Sequence, residues 1–153
     1  MHIRDTKRLA VLTSMVAGLL LAGCGGASVS TTQLQGTNEV PPTSSSATGT
    51  ATATLDGDDL TVTGSFSGLS SALHEVSGSG AHVHQAAAGQ NGDIVFNLDV
   101  TPGADSRSGA FSGKKTLNDT QKTAFKGGLF YVNIHSENFP MGEIRGQFSN
   151  VTY

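Results

Sequence analysis

The chain is 153 residues long, with 9 Lys+Arg against 12 Asp+Glu, 20 glycines and a single cysteine. A net charge of −3 with only scattered lysines and arginines excludes the electrostatic footprint of a nucleic-acid or anionic-surface binder. The lone cysteine excludes an intrachain disulfide, so stability must come from packing, with a bound metal as a further aid.

At the N-terminus, Arg4, Lys7 and Arg8 precede the apolar run LAVLTSMVAGLLLA, which leads into LAGC at Cys24. That arrangement resembles the lipobox of bacterial lipoproteins. The resemblance implies a signal peptide over residues 1–23 and a lipidated Cys24. It also implies an extracytoplasmic domain anchored by lipid to the cell envelope, in the outer membrane where the host has one. Without residues 1–23, Lys+Arg falls from 9 to 6 and Asp+Glu from 12 to 11, leaving a charge of about −5. Residues 24–153 suit one domain with a single core. Within them GGASVSTT, residues 25–32, reads as a flexible tether, and the domain is expected over 33–153.

Beyond the tether, Thr, Ser, Gly and Val alternate with period two, which predicts short antiparallel strands. TGTATATL and LTVTGSF flank DGDD, a hairpin turn in which Asp-Gly supplies the positive φ. AHVHQ, DIVFNLDV, SGAFSGKKTL, LFYVNIHS and GEIRGQF are further strand candidates. The expected fold is therefore all-β: an antiparallel Greek-key or immunoglobulin-like sandwich of seven or eight strands. NDTQKTAFKGG predicts one short surface helix, capped by Asn118, with Ala124 and Phe125 inward and Gly127–Gly128 ending it. Val83, Ile94, Phe96, Val132, Ile134, Ile144 and Phe148 are expected to share the core.

Alternation also places candidate ligands. With Val83 inward, His82 and His84 both project from the opposite, outer face, with Cα atoms about 6.6–6.8 Å apart. Two imidazoles at that spacing can lean onto one ion, but polar residues on an exposed face need no ion. In LFYVNIHSEN the inward pair Val132 and Ile134 leaves Tyr131, Asn133 and His135 outward. A third histidine is thus available if the two strands adjoin, whereas His74 falls in a loop. In MGEIRGQF, Glu143, Arg145 and Gln147 alternate with Ile144 and Phe148. They read as a cross-strand ion pair on a solvated face, or as support for a ligand near His135. DGDD lacks the spacing and closing glutamate of an EF-hand, and Glu39 in NEVPP has no assignable chemistry.

LQGTNEVPP, ATGTATATL, SGL, AHVHQAAAGQNGDIVFNL and FKGGLFYVNIHSENFPMGEIRGQF together resemble the successive motifs of the CHRD domain, from about Leu34 to Phe148. The resemblance names a domain and implies no general catalytic activity. HVH at residues 82–84 and NIH ending at His135 bear a more distant resemblance to the copper-binding strands of copper–zinc superoxide dismutases. Counterparts of the bridging histidine, the zinc ligands and the disulfide are missing from this sequence. What survives is a mononuclear site at His82, His84 and His135. Imidazole ligands favour copper by affinity, with zinc the alternative, and Met141 is a candidate soft ligand for Cu(I). Three readings follow: a metal-binding envelope lipoprotein, a non-metal domain contacting an envelope protein partner, or a copper-dependent dismutase. No catalytic residue is assigned.

Overall fold

The computed structural model describes residues 26–151. Nine strands lie in chain order: β1 Ser28–Gln35, β2 Thr48–Asp56, β3 Asp59–Ser67, β4 Ala81–Gln85, β5 Asp93–Asn97, β6 Asp99–Pro102, β7 Gly109–Thr116, β8 Phe130–Ser136 and β9 Phe139–Gln147. One α-helix among the described residues, α1 Asp119–Lys126, links β7 to β8. The strands form one antiparallel sheet in the order β5-β4-β8-β9-β1-β2-β3-β7-β6. Its edge strands β5 and β6 are consecutive in the chain and separated only by Leu98, so the sheet curls into a nearly closed barrel or sandwich. The all-β antiparallel class is as expected.

The strand count exceeds expectation for two local reasons. β1 begins at Ser28, inside the stretch read as a flexible tether, and pairs with β2 from Ser28↔Leu55 to Gln35↔Thr48. Its inward positions include Ser28 and Ser30, and the Ser30 hydroxyl donates to the carbonyl of Ser149 at 3.3 Å. Small hydroxyl residues bury well against neighbouring backbone yet write no hydrophobic alternation. The second reason is Leu98, which divides DIVFNLDV between the two edges, its N–H bonded to the Ala81 carbonyl at 3.0 Å.

The core joins Leu34, Leu60, Val62, Val83, Phe111, Phe130, Val132, Ile134, Ile144 and Phe148. Ile94 is the exception among the expected core residues: it is 38 % exposed. The β4–β5 register runs Val83↔Phe96 and then His84↔Ile94, with a bulge between. Cross-strand partners share a face, so the extra residue sends Ile94 to the histidine side while Phe96 packs against the core.

The β2–β3 turn has Gly57 at φ +59°, the left-handed conformation that the Asp-Gly pair predicts. In α1, Asn118 accepts from the Gln121 N–H at 2.9 Å while the Gln121 side chain accepts from the Asn118 N–H at 3.2 Å, a full capping box. Phe125 then meets Phe130 and Phe148 edge to face, with centroids 5.9 and 6.1 Å away.

Candidate metal centre

β4, β8 and β9 lie side by side, which brings the two histidine strands together. The pairs Val83↔Val132 and Ile134↔Ile144 point into the core. The other face carries the rows His84–Tyr131–Gln147 and His82–Asn133–Arg145. His135 follows at the end of β8, its N–H bonded to the Gly80 carbonyl at 2.9 Å.

This face is not the solvated outer surface expected. His82, His84 and His135 are only 0 %, 9 % and 4 % exposed. The β3–β4 and β4–β5 connections and the start of β9 fold over them, and each supplies one carbonyl. His82 Nε2 meets Val76 O at 2.8 Å, His84 Nδ1 meets Gly92 O at 2.9 Å, and His135 Nδ1 meets Pro140 O at 3.0 Å.

These three contacts fix the proton positions. A carbonyl oxygen only accepts, so the ring nitrogen facing it must carry the hydrogen. In the neutral rings the other nitrogens, His82 Nδ1, His84 Nε2 and His135 Nε2, then hold lone pairs. Yet His82 Nδ1 and His135 Nε2 face each other at 3.0 Å, and His84 Nε2 is buried with no hydrogen-bond partner. One nitrogen from each ring lies within 4.8 Å of the other two. Two lone pairs at 3.0 Å repel unless a cation is shared between them.

A proton is a poor candidate for that cation. Burial pushes the His135 imidazole from 6.5 down to about 4, and the neighbouring His82, His84 and His74 push the same way. Burial also lowers His82 and His84. Three neutral imidazoles with convergent lone pairs are the donor set that a divalent transition metal takes, at bonds of about 2.0–2.1 Å for zinc. The outer carbonyls supply the orienting hydrogen bonds that metal-binding histidines require.

The surroundings depart from the sequence reading at two further points. Glu143 and Arg145 do not pair: the β8–β9 register shifts between Ile134 and Ser136, breaking simple alternation. The Glu143 carboxylate instead accepts from the Ser45 hydroxyl at 2.6 Å and from the Ser70 N–H and hydroxyl at 2.8 and 3.1 Å. Arg145, 1 % exposed, donates to Asn91 Oδ1 and Gln147 Oε1, its guanidinium carbon 3.4 Å from the Tyr131 ring centroid. Tyr131 in turn stacks on His84 at an interplanar angle of 8°. Met141 is 86 % exposed, so its thioether stands in solvent while the histidine nitrogens are enclosed. His74 lies in a loop, as expected, and its N–H bonds to the His135 carbonyl.

Tyr131, Asn133, Arg145 and Glu39 form the rest of this buried polar layer, and sequence reasoning did not see it as buried. The available signal was LFYV, where Leu129 and Tyr131 are as apolar or aromatic as Phe130 and Val132 on the other face. Cys24 and the signal segment lie outside the described residues.

Fold and site together define an antiparallel β domain with a buried three-histidine group able to hold a metal ion. A family model, the CHRD domain, matches residues 30–148. The chain belongs to the CHRD domain family. No curated protein and no solved structure matches it.

Proposed function

We propose that this protein is an envelope metal-binding module that holds one copper-type ion through His82, His84 and His135. One observation carries the reading. Two lone-pair nitrogens are pressed together at 3.0 Å by carbonyls behind them, in a pocket where burial opposes protonation. His82 Nδ1, His84 Nε2 and His135 Nε2 are the atoms that would bind. Tyr131 holds the His84 plane by stacking, and the carbonyls of Val76, Gly92 and Pro140 hold the tautomers. Imidazole donors rank Cu(II) first among divalent first-row ions and leave zinc as the alternative.

Anchoring is the second part of the proposal. The basic start, the apolar run and LAGC support lipidation of Cys24 and an extracytoplasmic position at the membrane. The metal reading is tested by metal analysis of tag-free protein followed by copper titration. One equivalent of copper should bind the wild type and not the triple variant His82→Ala/His84→Ala/His135→Ala. Equal affinity in the two ends the proposal. For the anchor, Cys24→Ser should release the domain from membranes or leave the precursor uncleaved; unchanged processing and partitioning would refute it.

A further inference from the structure

Four buried side-chain atoms among the described residues have no hydrogen-bond partner in the protein: His84 Nε2, Asn133 Oδ1, Ser136 Oγ and Glu39 Oε1. The first belongs to the metal centre. Glu39 is a different case, because a carboxylate 5 % exposed with an idle oxygen is costly unless something donates to it. Room is kept for it. A Cβ on Gly142, whose φ is +130°, would stand 2.7 Å from Glu39 Oε1 and 2.5 Å from the Asn133 amide, so only glycine lets the carboxylate in.

Glu39 forms the wall between two cavities. One, of about 520 Å³, is lined by Thr37, Asn38, Arg145 and Gln147. The other, of about 530 Å³, is lined by Pro41, Phe139, Pro140 and Gly142, and both share Glu39, Val40 and Pro42. Each is of the size usual for small-ligand sites. The first therefore offers hydroxyl, amide, carboxylate and guanidinium groups, and the second offers prolines and the Phe139 ring beside the polar Thr43, Ser44 and Asn138.

We propose that these neighbouring cavities bind a neutral saccharide chain, with a sugar hydroxyl donating to Glu39 and a neighbouring hydroxyl accepting from Arg145. Charge selects neutrality: Arg145 opposes a cation, and Glu39 opposes an anion. The mixture of donors and acceptors selects hydroxyl groups, which serve as both. The prolines and the Phe139 ring match the C–H faces of a second sugar ring. Burial raises the Glu39 carboxyl to about 7, so a ligand donor also restores what desolvation takes from its charged form.

The test is calorimetric titration of the metal-free chain with cellobiose, maltose and N,N′-diacetylchitobiose, with butylammonium, acetate and trialanine as comparison probes. At least one disaccharide should bind with Kd of about 1 mM or tighter, and Glu39→Gln should weaken it by about tenfold. Ala88→Trp, which adds bulk at the exposed rim without touching a buried charge, should also block it. The His82/His84/His135 triple alanine variant should bind sugar as the wild type does, which separates this site from the metal centre. The inference is overturned if no disaccharide binds, if both cavity variants bind like wild type, or if butylammonium, acetate or trialanine binds more tightly than every sugar.

Discussion

The two faces of β4 and β8 are equally buried and differently satisfied. On one, Val83, Val132 and Ile134 meet only other apolar side chains, and packing completes their requirements. On the other, His82, Asn133 and His135 are shielded just as well, but each brings polar atoms that must find partners. Backbone carbonyls satisfy one nitrogen of each histidine and leave the inner ones facing each other or idle. A buried face completed by its own neighbours holds the fold together. A buried face left incomplete is where a ligand adds what the chain does not supply.

The sharpest test of that difference is a pair of substitutions one residue apart. Ile134→Ala should cost about 2–5 kcal/mol of stability, because it empties a fully buried site, while metal binding by the remaining folded protein persists. His135→Ala should do the reverse and abolish metal binding at a smaller stability cost. Urea unfolding and metal titration of both variants decide it, and the comparison breaks if both variants lose the same property.

Acid should act on the polar face alone. Unfolded histidine titrates near 6.5 and folded His135 near 4, so between these values the unfolded chain binds more protons. Stability present above pH 6.5 is therefore lost as the pH falls towards 4, by up to about 3 kcal/mol for His135, with His82 and His84 acting in the same direction. Glu39 runs oppositely: its carboxyl is raised from 4.5 to about 7, so its contribution declines as pH rises through that window. The relevant measurement is thus the difference between metal-free wild type and the triple histidine variant, in which Glu39 cancels. A difference that is flat between pH 7 and 4 would contradict the buried neutral histidines.

The apolar face was legible in the sequence because alternation records it directly. Val83, Val132, Ile134, Ile144 and Phe148 fell where period two put them, and α1 announced itself through Asn118, Phe125 and the closing glycines. The same alternation grouped His82, His84 and His135. It left their burial unread, because the cover is made of backbone carbonyls from Val76, Gly92 and Pro140, which any side chain can present. Ile94 was misplaced because a bulge is one residue of register and leaves no mark in hydrophobicity. The first part of β1, Ser28 to Thr32, was read as a tether because its inward serines do not look like a core. Glu39 carried no signal at all: a glutamate before two prolines reads as surface until the topology places Gly142 and Arg145 beside it.

Metal should stabilise the folded chain by mass action. At free copper or zinc one hundred times Kd the gain is about 2.7 kcal/mol, seen as a rise in Tm, and it should vanish in each of His82→Ala, His84→Ala and His135→Ala. A shift that survives any one of these reduces the site to the other two histidines. The rise should persist below pH 6.5 and fade only as the pH approaches about 4, because burial holds the His135 imidazole neutral until protons compete with the metal for the site itself.

The smallest effect expected is at His74, and it draws the boundary of the site. His74 is the remaining histidine of the described chain and belongs to the loop that lies over His135, tied there by its backbone N–H to the His135 carbonyl. Its side chain lowers the His135 pKa only as the last of the contributing neighbours, and its ring nitrogens are not among those within 4.8 Å of each other. The bond that fixes the loop is made by backbone and survives any side chain. His74→Ala should therefore leave metal affinity within about threefold of wild type, well under 1 kcal/mol. A loss comparable to that of His135→Ala would mean that the loop closes further onto the bound ion, making His74 a fourth ligand. The boundary drawn here between the incomplete face and its cover would then be wrong.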